Sequence, residues 1–146
     1  MKIKFTICGE PRGKERPRVC RKGFKVFTYT PEKTSDYEKT VRNEFRENVG
    51  IKFKERTPIK VKITAYYKIP KYVSKDWVRK MNAGLILPTK KPDADNVCKI
   101  ILDALNGVCY EDDVQVCSLA VEKFYSERPR VEVEIEEMEA LKDNVC

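Results

Sequence analysis

The chain has 146 residues, enough for one hydrophobic core and too few for two ordinary domains. It is 41% hydrophobic and 36% charged, with no repeat, no low-complexity tract and no apolar run long enough to span a bilayer. Its formal charge of +7 is unevenly placed: residues 1–30 hold nine Lys/Arg against two Glu, whereas residues 31–146 hold equal numbers of both signs.

A basic segment on a neutral body favours a polyanionic partner, because each neutralised phosphate releases counterions. Histidine is absent, which removes the Ser-His-Asp and Cys-His routes to a nucleophile. The six cysteines, at positions 8, 20, 98, 109, 117 and 146, form no C-x-x-C pair and lack zinc-site spacing; they are expected to be reduced, small apolar residues. Catalysis, if present, falls to carboxylates, lysines and a metal. The start of the chain alternates charge with hydrophobe and lacks a signal-peptide core, so a cytoplasmic protein is expected.

In chain order, Ile3, Phe5 and Ile7 alternate with Lys2, Lys4 and Thr6 and predict a half-buried strand over 2–8. Gly9 to Gly23, rich in Pro, Gly and Arg, reads as a loop, followed by a short strand near Lys25–Tyr29. Thr30-Pro31 reads as N-cap and first helical residue, and Tyr37, Val41 and Phe45 give that helix a buried stripe to about Asn48. The clearest strand is 59–69, with Ile59, Val61, Ile63, Ala65 and Tyr67 alternating with lysines, threonine and tyrosine. Ser74 caps a short helix to about Asn82, closed by Gly84. Val97, Ile100, Ile101, Ala104 and Leu105 mark a helix that starts no earlier than about Asp95 and stops at Asn106-Gly107. Closing strands are predicted at about 114–124 and 130–136, the last with a glutamate face suited to lie beside the lysine face of 59–69. The pattern predicts an α/β (α+β) fold: one compact domain over 1–146, with a mixed β-sheet packed with two or three helices.

The chemistry concentrates in Lys91-Pro92-Asp93-Ala94-Asp95-Asn96-Val97-Cys98-Lys99. In an extended segment Asp93 and Asp95 point the same way, presenting two carboxylates at a helix N-terminus. Such a pair repels unless a cation neutralises it, and its hard oxygens suit Mg²⁺ or Mn²⁺. Lys99, one helical turn from Asp95, is placed either to hold a phosphate oxygen or to form an i,i+4 ion pair. A third acidic group, Glu111-Asp112-Asp113, would close a metal site if its strand runs beside the segment carrying Asp93. Each motif also has a plain structural reading: aspartates cap helices, and Asp112-Asp113 suits a polar turn. Two sharper patterns are excluded. An EF-hand starting at Asp93 would need ligand and glycine where Val97 and Cys98 stand, and the restriction-nuclease Pro-Asp pattern lacks its downstream acidic-x-Lys triplet.

Nearly the whole chain resembles the RusA-type Holliday-junction resolvases. The resemblance rests on Gly9-Glu10-Pro11, Lys14-Glu15-Arg16-Pro17-Arg18, Tyr29-Thr30-Pro31, the K-P-D-x-D-N-x-x-K run at 91–99, Leu102-Asp103-Ala104-Leu105-Asn106 and Asp112-Asp113-Val114-Gln115. It implies that Asp93, Asp95 and Asp113 bind Mg²⁺ (or Mn²⁺), that Lys99 is the catalytic lysine, and that Asp112 is a neighbouring acidic position. It implies a prokaryotic or phage-encoded homodimer that cuts four-way DNA junctions at two symmetry-related sites, without a nucleotide cofactor or a membrane. Lys14, Arg16, Arg18 and Lys91 are the expected DNA contacts, gripping phosphates rather than reading bases. The competing expectation is a non-catalytic DNA-binding module acting through the basic N-terminal segment.

Overall fold

The computed structural model describes residues 1–139; Cys146 lies outside them. Among the described residues the elements are β1 (Lys2–Cys8), β2 (Arg18–Lys22), β3 (Lys25–Tyr29), α1 (Glu32–Asn48), β4 (Ile59–Lys68), α2 (Lys75–Asn82), α3 (Ala94–Leu105), β5 (Val116–Ser126) and β6 (Arg130–Glu137). A four-stranded sheet runs in the order β1-β6-β4-β5, with β4 and β5 parallel and the other pairs antiparallel. It is the mixed sheet the alternation implied, with three helices.

The core lies on one face of this sheet. Ile3, Phe5 and Ile7 of β1, Ile59, Val61 and Ile63 of β4, and Val131, Val133 and Ile135 of β6 meet Val41 and Phe45 of α1 and Val97, Ile100, Ile101 and Leu105 of α3. Phe5 and Phe45 pack edge to face at 5.7 Å between ring centres. The opposite face is a charge ladder. Glu134 of β6 lies between Lys4 of β1 and Lys62 of β4, and Glu136 lies between Lys2 and Lys60. Lys4 and Glu134 close to 3.1 Å. The glutamate face therefore does sit beside the lysine face of β4, and a one-residue slip would drive these charges into the core, so the ladder and the core fix one register.

Three local expectations need correction. Residues 18–22 are not loop but β2, which pairs with β3 as a separate hairpin. Its residues are exposed on both faces apart from the half-buried Cys20, so no inside-outside alternation marks it in the sequence. The N-cap of α1 is Pro31 rather than Thr30: its carbonyl accepts the Ser35 N–H at 3.0 Å, and the helix starts one residue later than Thr-Pro suggests. Ser74 does cap α2, accepting the Trp77 N–H at 3.3 Å. Finally, α3 begins at Ala94, so Asp93 is its extended N-cap and Asp95 already lies in its first turn.

The β4–α2–α3–β5 crossover positions the site. Because β4 and β5 are parallel, α3 must return from the C-terminal end of β4 toward the N-terminal end of β5. Asp93 thus lies near the end of β4, and Asp113 just ahead of β5.

Candidate active site

The segment before α3 is pinned to the sheet. The Tyr67 hydroxyl donates to the Pro92 carbonyl, and the Lys123 ammonium donates to the Lys90 carbonyl at 2.7 Å while lying 4.9 Å from the Tyr67 ring centre. Burial, and then the charge of Asp93, push the Tyr67 phenol up to about 12, so it stays a hydrogen-bond donor. Asp93 is exposed at the helix mouth, and its Oδ2 accepts from Asn96 Nδ2 at 3.1 Å, which orients the carboxylate. Neither Asp93 nor Asp95 takes part in the ion pairs of the described residues, and Lys99 is likewise exposed and outside them.

Asp93 forms one wall of an open cleft of about 530 Å³ that also takes in Arg12, Lys33, Lys91, Thr34 and Asn96. With Lys14 and Glu15 also on its lining, the cleft sets four cations against two carboxylates, which suits an anionic ligand that brings, or shares, a metal ion. Gly13 lets the 9–17 loop form the opposite wall: a Cβ there would stand 2.9 Å from Pro92 Cβ and 3.0 Å from Asn96 Cβ. The Lys14 N–H donates to the Asn96 carbonyl at 3.0 Å, fastening the loop to α3.

Of the expected DNA contacts, Lys91, Arg16 and Arg18 are exposed, Lys91 on the cleft and Arg18 within 3.8 Å of Glu15. Lys14 is not free to grip phosphate. Its ammonium is held between Glu38 of α1, at 2.5 Å, and Asp103 of α3, at 3.2 Å, with its side chain 16% exposed. Burial acts to lower its pKa, but these two carboxylates outweigh burial and the net shift is upward, so the lysine is a charged clamp between the loop and two helices. Arg12 and Lys33 are the cleft cations that sequence reasoning passed over. Arg12 belonged to the basic segment without being singled out, and Lys33 looks in sequence like any surface residue of a helix.

The acidic groups do not converge as expected. No set of three or more His, Cys, Asp or Glu side chains among the described residues is placed to hold a metal ion. The carboxylates instead line α3: Asp95, Lys99 and Asp103 recur at helical spacing on one face, and Asn106 at its C-cap accepts the Asp113 N–H at 3.2 Å. At the helical rise, Asp95 and Asn106 are about 16 Å apart, so one ion cannot be shared between Asp95 and an Asp113 anchored there. The reason is topological: a helix that crosses between parallel strands carries its two ends to opposite ends of the sheet.

The second acidic group has its own construction. Asp112 caps a short 3-10 turn (Asp113–Gln115), its carboxylate accepting the Val114 N–H at 3.3 Å. The buried Gln115 amide ties the turn down. Its oxygen accepts the N–H groups of Glu111 (3.0 Å) and Asp112 (3.3 Å), and its nitrogen donates to the carbonyls of Lys54 (3.0 Å) and Thr57 (3.1 Å). The glutamine of the D-D-x-Q motif therefore holds the turn in place, and the turn delays β5 to Val116. Asp113 is held above the usual carboxylate range by burial, then by its hydrogen bond to Asp112 and the charges of Asp112 and Asp103. The Cys98 thiol is pushed up by burial and by Asp95 and Asp103, which traces the same acidic stripe along α3.

The donor set fits a hard divalent cation. Asp93 and Asp95 offer acceptor oxygens without a lysine or arginine partner among the described residues, and Mg²⁺ commonly takes one or two carboxylates and completes its shell with water and substrate phosphate. No helix of the described residues is long and apolar enough to cross a membrane.

A family model described as Endodeoxyribonuclease RusA matches residues 9–136. The uncharacterized protein YqaN of Bacillus subtilis (strain 168) is 42% identical over 143 residues, which covers 94% of this chain and 98% of that protein. The crossover junction endodeoxyribonuclease rusA of Lactococcus phage r1t is 32% identical over 87 residues, 59% of this chain and 60% of its own length. The family match takes in the basic loop, the cleft, α3 and the Asp112-Asp113 turn, and the chain belongs to the RusA endodeoxyribonuclease family.

Proposed function

We propose that this chain is a Mg²⁺- or Mn²⁺-dependent endonuclease that resolves four-way (Holliday) DNA junctions by paired phosphodiester hydrolysis in recombination and repair, acting as a homodimer. The observation that carries this reading is Asp93, without an ion-pair partner among the described residues, on the wall of a cleft carrying Arg12, Lys33 and Lys91, with Asp95 exposed two residues on in the first turn of α3. The phage relative, whose name specifies crossover junctions, supports the choice of substrate. A purely DNA-binding role would leave Asp93 and Asp95 only as the N-cap and first-turn acids of α3, yet the Asp93 side chain makes no capping hydrogen bond.

Asp93 and Asp95 would hold the cation, with Asn96 and the Tyr67–Pro92 bond keeping Asp93 in position. When bound, the cation supplies Lewis-acid polarisation of the phosphate and lowers the pKa of a water nucleophile. Arg12, Lys33 and Lys91 bind the backbone phosphates and fix the strand across the cleft. Lys99, a turn along α3 from Asp95, offsets charge developing on the non-bridging oxygens. Asp113, near Asp103 and Asp112, makes a second acidic position. A two-fold axis that reverses α3 in a homodimer would bring one copy's Asp113 end toward the other copy's Asp93–Asp95 end.

A labelled synthetic four-way junction tests the reading. With Mg²⁺, paired nicks on opposed strands are expected, with a linear duplex of the same sequence left whole. Junction binding without nicks under either metal would favour the non-catalytic alternative.

A further inference from the structure

The hairpin β2–β3 has no role in the site described above, and its build is unlike that of the rest of the molecule. Residues 16–31 contain five cations, Arg16, Arg18, Arg21, Lys22 and Lys25, and no acid. Val19 and Val26 are 68% and 64% exposed, and Phe24, beside Gly23 at the turn, is fully exposed. A two-stranded ribbon with no covered face is marginal alone in water, so a surface that occupies it would stabilise it. Both legs spring from the cleft: the first follows Pro11–Glu15, and the second runs into Lys33 and Thr34, all of which line it. From Arg18 to Phe24 the strand rise gives a reach of ~20 Å.

A second copy of the same arm is a poor occupant, since it would set cations against cations. DNA is complementary in charge, and a two-stranded ribbon fits its major groove. Phe24 then leads the arm with an apolar wedge of the kind that enters between base steps. Stacked duplex resists such entry. The base pairs at a branch point have a stacking neighbour missing or displaced and yield more readily. Resting on the reading of branched DNA as substrate, we propose that the β2–β3 arm is the element that recognises the junction: its cations follow the backbone out of the cleft, and Phe24 stacks on the bases at the branch point.

The test compares the full-length wild type, Phe24→Ala, Phe24→Trp and the triple Arg21→Ala/Lys22→Ala/Lys25→Ala. Each is titrated on a four-way junction with 2-aminopurine beside the branch point and on a linear duplex at the same salt. For Phe24→Ala, junction affinity is expected to fall about 10-fold and the wild-type 2-aminopurine fluorescence change to disappear, with duplex affinity within about 2-fold of wild type. Phe24→Trp should restore both. The triple variant should weaken binding to both DNAs and reduce the salt slope by between two and three. Unchanged junction affinity and fluorescence in Phe24→Ala would overturn the arm's role while leaving wild-type cleavage, and so the nuclease reading, intact. Equal losses on junction and duplex would also overturn it, as would a shift from dimer to monomer in sedimentation. A wild type with no junction preference would overturn the arm's role; if it also makes no cuts, the nuclease reading falls with it.

Discussion

The two ends of α3 carry the same side chains in opposite circumstances. At the N-terminal end, Asp93 and Asp95 are exposed and without ion-pair partners among the described residues, and Asp93 lines a cleft with Arg12, Lys33 and Lys91. At the C-terminal end, Asp112 is engaged as a cap, Asp113 is crowded by two other carboxylates, and the whole turn is tied to residues 54–57 by one buried glutamine. One end leaves its carboxylates open beside cations, which is what the proposed metal and phosphate site rests on; the other is held by the protein's own hydrogen bonds. An acidic motif read from sequence does not distinguish these circumstances, and neighbours far along the chain do.

Five substitutions probe that contrast. Asp95→Asn is expected to lower junction cleavage by at least about 100-fold while leaving junction affinity equal or higher, because it removes a cation ligand and a repulsive charge together. Single-turnover cleavage with a parallel mobility-shift titration checks both, and retained turnover would remove this end from the chemistry. Gln115→Ala acts at the other end, where it removes the partner of two part-buried carbonyls and two N–H groups. A loss of ~2–3 kcal/mol in urea unfolding is expected, and a loss under ~0.5 kcal/mol would show that the turn is held by other contacts.

Arg12→Ala and Lys33→Ala should each weaken binding to junction and duplex alike by about 3- to 10-fold and lower the salt slope by close to one. A sequence-selective loss would contradict phosphate contact. The smallest effect concerns Asp113. Its folded pKa is raised, so the native state holds that proton more tightly than the unfolded chain, and stability falls as pH rises from the unfolded carboxylate value through the raised one. Metal-free Asp113→Asn should therefore melt ~1–2 °C higher at pH 7 and lose that pH dependence. A lower melting temperature would mean that the carboxylate is stabilising where it stands.

Much of the fold was legible because burial writes a period into the sequence. Ile59–Tyr67 and Val131–Ile135 alternate because one face meets the core, and Val97–Leu105 repeats at helical spacing for the same reason. The charge ladder followed from the same alternation. The β2 strand escaped because exposure on both faces removes the period. Within the site, Asp93, Asp95, Lys91 and Lys99 were legible as one local run, although the extended alternation invoked for the aspartates gives way to an N-cap and a first helical turn. What local sequence does not carry is long-range pairing. Lys14 looked like any loop cation until Glu38 and Asp103 closed on it, and the distance between Asp95 and Asp113 is set by the parallel pairing of β4 and β5.

Paramagnetic broadening by Mn²⁺ locates a bound cation directly. Titrated into ¹⁵N-labelled wild-type protein, Mn²⁺ is expected to broaden the backbone amides of residues 93–96 first, and Asp95→Asn should abolish that broadening. Broadening that spares residues 93–96, or that persists there in Asp95→Asn, would contradict a cation held at the N-terminal end of α3.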